Sequence, residues 1–140
     1  MEPKVKTIHI AVTKGGEKAD VKMLYCAAAE GAFERMTGHS TTVFIPTFKI
    51  EENGEVVIDK PAAADTLDKL YLALACVVSA YKADGEEEPF TDRYLLYDAS
   101  SEDVMTLIRT MFELREAYYA LPNAIVKTTA EKGKGKRKNA

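Results

Sequence analysis

The 140-residue chain has no tryptophan, only two cysteines (Cys26 and Cys76) and only two histidines (His9 and His39). So few thiols exclude a disulfide-stapled scaffold. Each cysteine falls among apolar or small residues within a predicted helix and reads as a buried free thiol. A metal site needs three or four donors at ligand spacing, and these four side chains stand singly and far apart in sequence. Neither histidine sits in a motif that would pair it with a nucleophile. Thr13-Lys14-Gly15-Gly16 lacks the glycine-spaced Lys-Ser/Thr pattern of a phosphate loop. The acidic run at 86–88 lacks the spaced donors and glycine of a calcium loop. Glu30 and Glu34 lie one helical turn apart and read as a solvated face. No apolar run reaches the ~20 residues of a membrane span. The opening stretch EPKVKTIHIAV has one short apolar run and no small-residue cleavage site, so a cytoplasmic protein is expected. Taken together, these absences point away from an enzyme and give no catalytic residue, cofactor or metal.

What is present is a globular composition, 46% hydrophobic and 29% charged, in a chain long enough for one domain with a real core. The net charge of −3 is unevenly spread. Residues 127–140 hold six Lys or Arg and one acid, a charge of +5, which leaves −8 on the remainder. This tail lacks large apolar residues and is expected to be disordered. The division is therefore a globular domain over 1–126 and a basic tail over 127–140.

The most apolar stretch is LDKLYLALACVVSAY, residues 67–81, with no charge from Leu70 to Tyr81. Leu67, Leu70, Tyr71, Leu74, Val77, Val78 and Tyr81 recur at the spacing of one helix face, and the other face is hardly polar. A helix apolar all round must be covered all round, so this one is read as the core helix. Three apolar surfaces are expected to cover it: a helix stripe of Tyr25, Ala28, Ala29, Ala32, Phe33 and Met36; a helix stripe of Val104, Leu107, Ile108, Met111, Leu114 and Tyr118; and the apolar side of a β hairpin over 48–58.

The remaining elements follow from local chemistry. VKTIHIAV, residues 5–12, alternates and is rich in β-branched residues, which suits a half-buried strand. His9 lies on its more polar face without a ligand partner. Gly15-Gly16 turns the chain, and residues 19–24 return as a second strand in preference to a helix capped by Asp20. Gly38 ends the helix over 25–37 in a left-handed conformation. Gly31, inside that helix, is read as permitting close approach of another backbone. Residues 42–45 are read as a short strand, with Pro46 at an edge or bulge. For the hairpin, a three-residue loop Glu52-Asn53-Gly54 pairs Ile50 with Val56 and Phe48 with Ile58, which joins the apolar groups. Pro61 is expected in the first turn of the core helix, with Asp65 or Asp59 as cap. Residues 93–97 form a short helical turn capped by Thr91 or Asp92. Ser100 or Ser101 caps the last helix, and Pro122 ends it. The fold class expected is α+β, with N-terminal strands, a β hairpin and about three main helices.

Candidate binding residues are few. Phe112 and Tyr119 fall off the core stripe of the last helix, and Tyr97 lies on the preceding turn. Exposed, these rings would form a protein-binding patch; the alternative is that they pack on the hairpin. Lys134, Lys136, Arg137 and Lys138 would bind phosphate backbones non-specifically, or form a solubilising or partner-binding extension. No aromatic residue interleaves them for base stacking, and the −8 body repels nucleic acid, so nucleic acid is disfavoured.

The segment YCAAAEGAFERMTG at 25–38 resembles the sequence near the start of tail assembly chaperones of tailed bacteriophages and prophages. In that family an N-terminal strand pair leads to a helix with a Phe-Glu or Glu-Glu pair closing on Thr-Gly. Phe33-Glu34 and Thr37-Gly38 stand at those points. An apolar central helix, the turn Leu95-Leu96-Tyr97, a Ser-capped last helix and a charged tail are also similar. The hairpin over 48–58 departs from the pattern, since many members carry less strand there. The resemblance implies a non-enzymatic protein that binds the tape measure protein and helps recruit tail tube subunits. It also implies a longer form made by translational frameshifting near the C-terminus. No catalytic residue carries over, and homo-oligomerisation stays open. The alternative is a small cytoplasmic module that binds protein or nucleic acid through its basic tail.

Overall fold

The 18-residue helix α2 (Thr66–Ala83) is the element against which the other two long helices and one strand of the N-terminal pair pack. The computed structural model describes residues 5–11 and 18–120. Asp65 caps α2: its carboxylate accepts from the Asp68 N–H at 2.9 Å, and Asp68 returns the bond to the Asp65 N–H at 3.1 Å. This reciprocal pair satisfies amides that the first turn would otherwise leave unpaired. Pro61, expected in the first turn, lies five residues before the helix starts. Asp65 rather than Asp59 is the cap. Within α2, Leu72, Ala73, Ala75, Cys76 and Val77 are fully buried, which confirms a helix covered on almost all sides. Leu67 at its start is the exception and is half exposed.

The covering is supplied by α1 (Ala27–Thr37), α3 (Ser101–Ala120) and the strand β2 (Lys18–Leu24), which pairs antiparallel with β1 (Val5–Ala11). In this pair Ile8 stands opposite Val21 and Ile10 opposite Ala19. Ile10, Val21 and Met23 share one face and are fully buried, while Asp20 and Lys22 point the other way. The strand reading of 19–24 is therefore right. Val12 and the turn expected at 14–17 lie outside the described residues, as do Pro122 and the basic tail.

α1 starts two residues later than expected, at Ala27, with Tyr25 buried in the extended segment before it. Cys26 is its N-cap rather than a helical residue. Ala29, Ala32 and Phe33 face the core, but Ala28 and Met36 are exposed. The contact with α2 is thus a narrower stripe than the sequence pattern suggests. Gly38 does end the helix left-handed, at φ 78°. The expectation for Gly31 fails: a Cβ there would meet only the Arg35 side chain, at 3.4 Å, and no other backbone.

Residues 42–45 are not a strand. Thr41–Phe44 form a short 3-10 turn, because the Ser40 hydroxyl accepts from the Thr42 N–H at 3.2 Å and starts a turn that β-branched composition alone would not favour. The second antiparallel pair, β3 (Thr47–Ile50) and β4 (Val56–Lys60), has the register expected, with Ile50 opposite Val56 and Phe48 opposite Ile58. Gly54 closes its loop at φ 88°, and a bulge falls between Thr47 and Phe48, just after Pro46. Its destination is not the one expected. Phe48, Ile50, Val56 and Ile58 are 57%, 74%, 64% and 59% exposed, so the hairpin does not lay its apolar side on α2. β2, not the hairpin, is the β element that packs on α2.

After α2, Tyr94–Asp98 form a π-helical turn, closed by the Ala99 N–H donating to the Tyr94 carbonyl at 2.7 Å. Neither Thr91 nor Asp92 caps it through a side chain. The Tyr94 N–H donates to the Thr91 carbonyl. Ser100 caps α3 by accepting from the Asp103 N–H at 3.1 Å. Leu107, Ile108, Met111 and Leu114 are buried as expected, with Val104 and Tyr118 half-buried. The class is α+β, and among the described residues no helix is long and apolar enough to cross a membrane.

Candidate protein-binding surface

The last turns of α3 carry Phe112 and Tyr119 one side away from the buried stripe, and Phe44 of the 3-10 turn comes to meet them. Phe44 lies 5.6 Å from the Phe33 ring in the core and 6.0 Å from Phe112 at the surface. It thereby links the interior to an open groove of about 690 Å³ between the 3-10 turn and α3. Ile45, Phe112, Tyr119 and Ala120 give the groove an apolar floor, and Arg109, Glu113, Arg115 and Glu116 line its sides. Phe112 and Tyr119 remain 38% and 45% exposed, so their rings are presented to solvent and do not pack on the hairpin's apolar face, which is itself exposed.

Arg115 organises the groove. Its guanidinium stands 5.5 Å from the Phe44 ring and 4.9 Å from the Tyr119 ring, a cation held over two aromatic faces. It also donates to the Tyr25 hydroxyl at 3.3 Å. The Tyr25 hydroxyl in turn donates to Glu30 at 2.8 Å, and the Tyr119 hydroxyl donates to the same carboxylate oxygen. Burial, then the hydrogen bond to Glu30, pushes the ionisation of both tyrosines up, so both stay protonated donors. Glu30 is therefore not the free solvated acid its spacing suggests; it ties α1 to the end of α3. Glu113 is held below the usual carboxylate range by Lys6, which donates to it at 2.7 Å and fastens β1 to α3.

Of the residues singled out by sequence, Phe112 and Tyr119 come together in one groove. Tyr97 does not join them: it projects from the π-helical turn, 78% exposed, with the Arg93 guanidinium 6.0 Å from its ring. Lys134, Lys136, Arg137 and Lys138 lie outside the described residues. Phe44, Ile45 and Arg115 were not legible as site residues. The spacing of Phe112, Arg115 and Tyr119 does place all three on one side of a helix, which was the available signal.

The remaining chemistry-bearing side chains pair locally. His9 contacts Asp20 across the β1–β2 pair. His39 meets the largely buried Asp68 at 2.9 Å. Both cysteines are free, and Cys76 is fully buried. Among the described residues no group of three His, Cys, Asp or Glu side chains is arranged to hold a metal. No family model, curated protein or solved structure matches the chain.

Proposed function

We propose that the protein is a non-enzymatic binding protein of the tail assembly chaperone kind, which holds the tape measure protein during phage or prophage tail morphogenesis. The observation that carries the reading is the open groove where Phe44, Phe112 and Tyr119 present aromatic rings under Arg115. Aromatic residues and arginine are the side chains that dominate protein interfaces, and a groove walled by one helix suits a helical partner. The order of elements lends support: an N-terminal strand pair, a helix closing on Thr37-Gly38, an apolar central helix and a Ser-capped last helix agree with the resemblance in 25–38.

Co-expression of the tagged full chain with a phage tape measure protein, if one is encoded beside it, tests the reading. Co-purification of the two is the expected result. Failure to recover the tape measure protein at any salt concentration would sink the proposal.

A further inference from the structure

Small side chains leave a cavity beside the contact of α1 with α2. Ala28 and Ala32 of α1 stand across it from Ser79 and Ala83 of α2, and none of them is large enough to close the gap. The space is about 300 Å³, at the low end of small-molecule sites, with Leu24 and Val78 as apolar wall. It shares no residue with the groove on α3.

The polar groups around this cavity all favour an anion. His39, just past α1, meets Asp68 in the first turn of α2 at 2.9 Å, so the two helices run antiparallel. Long helical side chains lean back toward the N-terminus of their own helix. Arg35 and Lys82, both lining the cavity, therefore lean toward each other from its two ends. Gly31 makes room for this: Arg35 Nη1 lies 3.4 Å from where a Cβ on Gly31 would stand, so the guanidinium is laid back along α1. Among the described residues neither cation pairs with a carboxylate, and no acid lines the cavity. Ser79 lines it too and is only 6% exposed. The Thr110 hydroxyl on α3 donates to the Thr106 carbonyl at 2.7 Å, whereas the Ser79 hydroxyl has no hydrogen-bond partner among the described residues. A buried hydroxyl without a partner is costly, and a ligand oxygen would accept from it. Cys26, at the edge of the cavity, is the N-cap of α1 and makes no side-chain cap bond, so the positive end of that helix has no side-chain acceptor.

We propose that this cavity binds a small amphiphilic carboxylate, with its alkyl chain between α1 and α2 and its carboxylate between Arg35 and Lys82. An apolar wall without charge takes the chain, and two unpaired cations with a free hydroxyl take the head.

The test uses the full chain with octanoate and octylammonium, which share an alkyl chain and differ in the sign of the head. Calorimetry is expected to give octanoate a Kd of about 1 mM or tighter, and octylammonium about tenfold weaker binding or less. Saturating octanoate should slow the reaction of Cys26 with a thiol reagent, because Cys26 lines the cavity. Arg35→Gln with Lys82→Gln should weaken octanoate binding about tenfold or more. Ala28→Leu, at an exposed position, should abolish binding by filling the cavity while leaving both charges in place. Circular dichroism establishes that each variant is folded, and either folded variant is sufficient for the comparison. The proposal is overturned if octanoate does not bind, if the two amphiphiles bind alike, if a folded variant binds octanoate as the unmodified chain does, or if octanoate leaves the Cys26 reaction unchanged.

Discussion

Asp103 is only 3% exposed, yet it is a carboxylate. It stands in the first turn of α3, where the helix dipole favours negative charge. Its Oδ2 accepts from the Ala11 N–H at 3.1 Å and from the Tyr94 hydroxyl at 3.4 Å, so one side chain joins β1, the π-helical turn and α3. Asp103→Ala leaves both donors unpaired in a partly buried setting, and urea denaturation should register a loss of about 1–3 kcal/mol. Tyr94 responds to the same contact. Burial, with the Asp103 charge adding to it, pushes its hydroxyl up from 10.0 to about 12. The folded state therefore holds this proton where the unfolded chain has begun to lose it. The associated stability is fully present below pH 10 and declines as pH rises toward 12. Stability measured at stepped alkaline pH should fall across that window, and Tyr94→Phe should flatten part of the fall. Cys76 behaves differently: burial pushes its thiol up and closes off access. A thiol reagent should modify the half-buried Cys26 first and reach Cys76 only on unfolding.

The elements differ in how much each depends on the rest. α2 draws its stability from burial on nearly every side and from the Asp65–Asp68 box at its start. Asp65→Ala should cost about 1 kcal/mol, and Leu72→Ala, at a fully buried position, about 2–5 kcal/mol. The hairpin β3–β4 should behave oppositely, because its apolar side chains gain little from the fold. Phe48→Thr is expected to change the chain's stability by no more than about 0.5 kcal/mol in the same denaturation assay. The contrast also separates what was legible in the sequence from what was not. A run with no charge over twelve residues has one physical outcome, a covered helix, and α2 is that helix. The hairpin's register was equally legible, since only one loop length joins Phe48 to Ile58 and Ile50 to Val56. Alternation specifies that an apolar face exists, however, and not what covers it, so the assignment of that face to α2 failed. The 3-10 turn at Thr41–Phe44 was hidden for a different reason. A single hydroxyl, that of Ser40, decides it against the strand propensity of Val43 and Phe44.

At the scale of the whole molecule, the buried layer between α1, α2, α3 and the β1–β2 pair leaves, among the described residues, apolar surfaces outside it that include two larger ones. One is the groove of Phe44, Phe112 and Tyr119; the other is the face of β3–β4. Phe112 and Tyr119 could be read from sequence because they break the core stripe of α3. Phe44 could not, because its position depends on the 3-10 turn that swings it beside α3. The groove is where the central claim is exposed to test. The most direct measurement is the affinity of the full chain for the purified tape measure protein, compared with that of the double variant Phe112→Ser with Tyr119→Ser. The account predicts measurable binding by the unmodified chain and a loss of about tenfold or more in the folded variant, given that aromatic anchors dominate such interfaces. No binding by the unmodified chain, or equal binding by both, would contradict it.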